Sequence, residues 1–312
     1  MVFAPRNALA VPGGARHALS VQVRLTDDPV KVLSAAGRFL AGRPVEHNLV
    51  LSLLQARADA PEPGRYGWVA GGEGFVGIGG VIFNSPLGFP AAVTPMVPAA
   101  AAALGEAVAR AWPTLAGVSG EAATASAVAG AFATVTGTPA RPVEGQRLYR
   151  LGDLRPPAGV PGSARVARPA DRRVVAGFVT GFYRDVGEGH RAAGADDDQA
   201  ARMIATGRLW LWDDPGAGAA GAGAGGPAGA VVAMARATAP DAGVGRVGPV
   251  YTPPGLRGRG YGGAVTAAAS GAIVAAGATA ILYTQLDNPT SNALYQRLGY
   301  EVVGEGLRYA FG

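Results

Sequence analysis

The run Arg257-Gly258-Arg259-Gly260-Tyr261-Gly262 stands between a short apolar stretch and an alanine-rich one, so it reads as a loop that leaves a strand and opens a helix. A phosphate group needs several N–H donors converging on it, and a helix N-terminus supplies them together with the positive end of its dipole. Gly258, Gly260 and Gly262 let the main chain come close, because no Cβ stands between the amides and the ligand. Arg257 and Arg259 add charge around the site. The chemistry is capture of an anion.

Read literally, Gly258 to Gly263 also satisfies the GxGxxG pattern of dinucleotide-binding folds. That reading expects an acidic residue about 20 positions on for the ribose, and none occurs before Asp287. Only 49 residues follow Gly263, too few for the rest of a doubly wound sheet. A glycine-rich turn that binds nothing fits the loop alone equally well, and the balance shifts only with the residues downstream.

Those residues are LDNPTSNALYQRLGY, ending at Tyr300. With the glycine loop, they make residues 164–312 resemble the GNAT superfamily of acyl-CoA N-acyltransferases. The family's loop reads (Gln/Arg)xxGx(Gly/Ala), and Arg257, Gly260 and Gly262 occupy those positions. The downstream run resembles its strand end, Asn, short Tyr-bearing helix and closing Leu-Gly-Tyr/Phe. By that resemblance Val250, Tyr251, Thr252, Arg257, Gly260, Gly262, Asn288 and Asn292 are cofactor-binding residues, and Gly258, Arg259 and Tyr261 of the loop join them as read from its own chemistry. Val250 to Thr252 form the splayed strand that supplies an oxyanion donor, Asn288 and Asn292 contact CoA, and Tyr295 is the general acid that protonates the leaving thiolate.

Elementary chemistry agrees with these roles. Acyl transfer to an amine passes through a tetrahedral oxyanion that preorganised N–H groups stabilise, and a phenol with pKa near 10 is matched to a thiolate leaving group. Packing in a core is the alternative for Tyr295. The amine must also lose a proton. Residues 185–190 lie where the resemblance puts part of the acceptor site, so Glu188 or His190 is a candidate base, and a solvated turn is the alternative for each.

Positioning these groups requires a sheet with helices around it. Periodicity predicts strands at 164–168, 208–212, 230–237, 244–251, 280–286 and 301–311, and helices at 172–185, 197–206, 260–276 and 291–298. Residues 216–227 are too glycine-rich for regular structure and read as a mobile hairpin loop. The N-terminal half gives nearly the same order, with strands at 21–25, 66–70, 75–83, 92–97, 116–119 and 146–151, and helices at 30–40, 46–58, 99–111 and 121–134. The expected architecture is α/β (α+β), with tandem GNAT-like domains, each a mixed, mostly antiparallel sheet flanked by helices. The boundaries are a tail 1–19, a degenerate copy 20–154, a Pro- and Gly-rich linker 155–163 and a catalytic copy 164–312. The first copy has neither the arginine nor the glycines around Thr94 to Leu104, and no tyrosine to match Tyr295, so its role is read as structural or acceptor-shaping, with ligand binding as the alternative.

Composition excludes several alternatives. At 312 residues, 49% apolar and 16% charged, the chain is in the globular range. No cysteine is present and only three histidines, His17, His47 and His190, without metal-ligand spacing, so no metal is expected. The net charge of +5 is spread over single arginines, which argues against nucleic acid. Residues 261–286 lack charge but are interrupted by glycines, so no membrane span is expected. The N-terminal stretch is broken by Pro5, Pro12 and Gly13-Gly14 and has no apolar core, so export is not expected either, and the protein is read as cytoplasmic, a monomer or homodimer. The leading expectation is transfer of an acetyl group from acetyl-CoA, as cosubstrate, to an amine acceptor by direct attack in a ternary complex. A non-catalytic acyl-CoA-binding or regulatory module is the second reading, and a dinucleotide oxidoreductase the third.

Overall fold

A computed structural model describes residues 21–71, 77–187, 194–217 and 230–312. The tail 1–19, His17, Phe75, Glu188, His190 and most of the glycine-rich stretch 216–227 lie outside the described residues.

The N-terminal half runs β1 (Gln22–Thr26), α1 (Pro29–Gly42), α2 (Pro44–Asp59), β2 (Arg65–Ala70), β3 (Ile78–Asn84), β4 (Ala91–Val93), α3 (Pro98–Ala111), β5 (Gly117–Glu121), α4 (Ala122–Thr136) and β6 (Ala140–Leu151). The C-terminal half repeats it as β7 (Ser163–Val166), α5 (Arg172–Asp185), α6 (Ala195–Ala205), β8 (Leu209–Asp214), β9 (Ala230–Ala237), β10 (Val244–Tyr251), α7 (Tyr261–Ala275), β11 (Thr279–Gln285), α8 (Pro289–Arg297) and β12 (Tyr300–Phe311). Side-chain caps fix several helix starts. Asp28 accepts from the Val30 amide, Glu121 from those of Ala123 and Thr124, and Asn288 from that of Ser291.

The strands join one twelve-stranded sheet in the order β1-β2-β3-β4-β5-β12-β6-β11-β10-β9-β8-β7. All neighbours are antiparallel except β4–β5 and β10–β11, the parallel pair inside each half. The closing strands are exchanged. β6, the last strand of the first half, pairs with β11 of the second, and β12 pairs with β5 of the first. β6 and β12 also pair with each other along most of their length. The order reads the same from either end, so the halves are related by a twofold axis between β6 and β12, normal to the sheet. Such an axis reverses strands and keeps faces, so α1, α2, α5 and α6 share one face and α3, α4, α7 and α8 the other.

Alternation along the strands matches the two faces. On β9, Ala233, Ala235 and Ala237 pack under α7 with Val265, Ala269 and Ile273, while Met234 packs with Val175, Phe178 and Val179 of α5. The small residues of α7 let it lie close on the sheet: a Cβ on Gly245 would stand 3.0 Å from Ile273. The connection between the halves is part of this packing, since Leu154 and, in the linker, Val160 join the cluster under α7. No helix among the described residues is long and apolar enough to cross a membrane.

Two expectations from sequence change. The fourth strand is short, ending at Val93, because Thr94 turns its hydroxyl and amide to β3, accepting from the Val81 amide at 2.9 Å and donating to the Val81 carbonyl at 3.0 Å. The sixth begins at Ala140 rather than 146, because β12 pairs it residue by residue back to that point.

Each half lacks an inner strand without the other, so the chain is expected to unfold on heating in a single transition with equal calorimetric and van't Hoff enthalpies. Residues 164–312 expressed alone should fail to fold to a monomer, because β11 would present an unpaired, largely buried edge. Two separate thermal transitions would contradict this.

Candidate active site

Strands β10 and β11 hold together only at their start. Val244, Gly245 and Arg246 pair with Thr279, Ala280 and Ile281, after which β10 continues to Tyr251 beside β9 while β11 continues beside β6. From Val247 onward β10 has no strand partner on the β11 side, and a wedge opens between two parallel strands. The register between β10 and β9 shifts between Val247 and Val250, which turns the end of β10 further.

The glycine loop closes the wide end of this wedge. Gly258 and Gly260 both have positive φ, 78° and 85°, a backbone only glycine adopts without strain. Gly260 caps α7, and the first intrahelical bond runs from the Ala264 amide to the Gly260 carbonyl at 3.0 Å. The amides of Tyr261, Gly262 and Gly263 are therefore outside the helical ladder and free to point at an anion. Beside them the Thr252 hydroxyl is buried and has no hydrogen-bond partner among the described residues, an unusual state for a buried polar group.

The glycines serve this loop in different ways from that read in the sequence. A Cβ on Gly260 would lie 2.8 Å from Val160 of the linker, and one on Gly262 would lie 3.3 Å from the Thr252 hydroxyl. Only at Gly258 does the Cβ direction meet nothing within 4 Å. Close packing beneath the loop therefore constrains Gly260 and Gly262, while Gly258 is required by its backbone angle.

The side chains divide similarly. Tyr261 is buried, and its hydroxyl donates to Asp214 at the end of β8, which also accepts from the Gly216 amide at 2.8 Å. The Tyr261 hydrogen bond, ahead of the Gly216 amide, holds the Asp214 carboxyl below its usual range, and the same bond pushes the Tyr261 phenol up. This pair anchors the first turn of α7 to β8, so Tyr261 offers a ligand its amide rather than its ring. Arg257 donates to Asp185 and, through Nε, to the Thr252 carbonyl at 3.0 Å, and sits 5.9 Å from the Tyr251 ring. Arg259 is exposed on the loop.

Helix α8 forms the other wall. Asn288 caps it. Asn292 spends its whole amide on the protein: Nδ2 donates to the carbonyls of Gln285 at 3.0 Å and Asn288 at 2.8 Å, and Oδ1 accepts from the Tyr149 hydroxyl at 2.8 Å and Arg147 at 3.4 Å. It fixes α8 to the end of β11 and to the exchanged strand β6. Tyr295 is only 7% exposed, with its ring 6.3 Å from Tyr149 of β6 and 6.1 Å from Tyr300 of β12. Burial alone pushes its phenol up to about 12, so it carries its proton throughout the neutral range. Glu188 lies outside the described residues.

Tyr149, Asp214 and the Thr252 hydroxyl's isolation were not foreseen. The signal for Tyr149 was an aromatic in the closing strand of the other half, which means nothing until the strand exchange is known.

In the first half the equivalent wedge is filled. Parallel pairing of β4 and β5 also spans few residues, Ala91 with Val118 and Ala92 with Ser119. There, however, α3 and α4 touch at the backbone: a Cβ on Gly105 would lie 2.5 Å from the Val128 carbonyl. Met96 packs over Gly80, and its amide is taken by the Thr124 hydroxyl at 3.1 Å. The start of α3 is Pro98, which has no amide to offer.

The family described as FR47-like protein matches residues 228–309. No curated protein matches. An acetyltransferase of the GNAT family from Colwellia psychrerythraea is similar over 93% of this chain and 100% of its own, at 12% identity and a TM-score of 0.56. A GCN5-related N-acetyltransferase from Sphaerobacter thermophilus covers 93% of this chain and 94% of its own at 17% identity and a TM-score of 0.55. A tandem GNAT protein from the clavulanic acid biosynthesis pathway covers 94% and 98% at 12% identity and a TM-score of 0.52. No metal-binding group of His, Cys, Asp and Glu occurs among the described residues. Likeness along nearly the whole length, rather than over one half, is what a duplicated module gives, and the chain has the fold of these GNAT acetyltransferases.

Proposed function

We propose that the protein is an N-acetyltransferase that moves an acetyl group from acetyl-CoA to an amine, with its one competent site in the wedge between β10 and β11. The observation that carries this reading is the coincidence, at one end of that wedge, of three unpaired amides at the start of α7 and a buried Thr252 hydroxyl with no partner. In this reading the CoA pyrophosphate lies on residues 258–263, flanked by Arg257 and Arg259, and pantetheine runs along the free edge of β10. An amide in the Val250 to Thr252 stretch stabilises the oxyanion, the amine attacks the thioester directly, and Tyr295 returns a proton to the departing thiolate. Asn288 and Asn292 act by holding α8 against β11. Residues 20–154 and 164–312 are read as the two copies, the first without a CoA site of its own. A cytoplasmic location is part of the same proposal.

Gly258→Val would force a β-branched residue into a left-handed backbone, at a cost of roughly 1–2 kcal/mol, and disturb the loop. Acetyl-CoA affinity should fall by roughly tenfold or more, as for loss of one charge-assisted hydrogen bond, with the melting temperature little changed. Calorimetry that returns the parent affinity would remove the loop from the site.

Tyr295→Phe keeps the ring between Tyr149 and Tyr300 and deletes the hydroxyl. If the phenol is the acid, kcat should drop by roughly a hundredfold to ten-thousandfold while acetyl-CoA affinity stays near the parent value. Retention of nearly full kcat would make Tyr295 a packing residue.

A further inference from the structure

The sheet face opposite α7 and α8 carries two arginines that have no acidic partner among the described residues. Arg236 lies on β9 between Ala235 and Ala237, both packed under α7, so its side chain leaves the other face, where its cross-strand neighbour Leu209 packs with α5 and α6. Among the described residues its guanidinium forms no ion pair or hydrogen bond, and its Nε is buried without a partner. Arg246 is the last residue of β10 that pairs with β11. It follows Gly245, which faces Ile273 of α7, so it shares the face of Arg236. Its Nη1 donates to the Asn48 side-chain carbonyl at 3.2 Å and the Ser52 hydroxyl at 3.4 Å, both neutral groups on α2 of the other half. Asn48 in turn donates to the Val244 carbonyl at 3.2 Å.

Burial pulls both guanidinium groups below their usual range, and Arg236 adds to this at Arg246. The groups that work the other way are phenols, Tyr183 for Arg236 and Tyr283 for Arg246. Two neighbouring cations held partly out of water without a carboxylate are costly.

Their place is at the chemistry. Arg236 faces the stretch of β10 between Val247 and Val250 where the register shifts, within about two residues, or roughly 7 Å along a strand, of the backbone proposed to hold the oxyanion. An amine attacking from this face brings whatever lies beside its nitrogen to the Arg236 guanidinium, whose planar fork matches a carboxylate.

We propose that the acceptor is an amino acid rather than a bare amine, its carboxylate bound by Arg236 and by the field of Arg246, which α2 of the N-terminal half holds in place. This deepens the acyl-transfer reading and rests on it. It also gives the first half a function: its helix α2 builds a wall of the acceptor site of the second.

The test uses the full chain, acetyl-CoA and matched pairs of probes: phenylalanine and phenethylamine, histidine and histamine, lysine and cadaverine, with aminoethyl phosphate as a further anion. Release of CoA thiol can be followed directly, because the protein has no cysteine. The carboxylated member that is acetylated should exceed its decarboxylated partner in kcat/KM by roughly 30-fold or more, within the range for a hydrogen-bonded charge. Arg236→Gln should raise the KM for that amino acid by roughly 10- to 100-fold and leave acetyl-CoA affinity unchanged, and Arg236→Lys should recover part of the loss. Equal or better turnover of the bare amines, a preference for aminoethyl phosphate, or an unchanged KM in Arg236→Gln overturns the inference. So does an acetyl-CoA complex that neither acetylates nor, by calorimetry, binds any of the amino acids. Absence of acetyl-CoA binding would instead sink the acyl-transfer reading, and this one with it.

Discussion

A hydrogen bond between the two halves of the chain, from the Tyr149 hydroxyl to Asn292 at 2.8 Å, stands at the point where strand exchange meets the site. Tyr149 reaches it only because β6 crosses to lie beside β11. The bond is buried, so neither partner has water as a substitute, and breaking it would strand Asn292 oxygen or the phenol at a cost of about 1–3 kcal/mol. Through Asn292 it fixes the start of α8 against Gln285 and Asn288. Through its ring Tyr149 forms one side of the niche that holds Tyr295, and Tyr300 of the other exchanged strand forms another. A duplicated fold thus places a side chain from one copy against the working helix of the other.

Duplication also allows the copies to diverge in opposite directions. In the first, Gly105 brings α3 onto the backbone of α4 and Pro98 removes an amide from the start of α3, so the wedge beneath is closed. In the second, the tight approaches are moved beneath the loop, to Val160 against Gly260 and to Thr252 against Gly262, and the helix start stays open. The same glycine and small-residue chemistry that packs one copy shut leaves the helix start open in the other. The first copy then acts at a distance from its own wedge, through α2, which lends Asn48 and Ser52 to Arg246.

Local elements were legible in the sequence because their signals are local. The apolar run of β9 and the helices at 172–185 and 260–276 stand within a residue or two of where periodicity predicts them, and the glycine loop does open a helix. Strand partnership was not legible. Alternation along β6 and β12 says which face each residue takes, but Tyr149 and Tyr309 would be equally buried beside either half. Nor did the glycine pattern say which way each missing Cβ would point, since that depends on Val160 and Thr252, which lie outside the loop. Arg236 and Arg246 looked like two among many dispersed arginines, and only their shared face and the absence of an acid beside them among the described residues set them apart.

We propose that exchange and divergence leave one wedge able to take the acyl donor. An isothermal titration of the intact chain with acetyl-CoA tests it most directly, because a filled first-half wedge and an open second-half one differ in stoichiometry before any question of turnover arises. One equivalent bound per chain is the predicted result, and either two equivalents or no binding at all would contradict it.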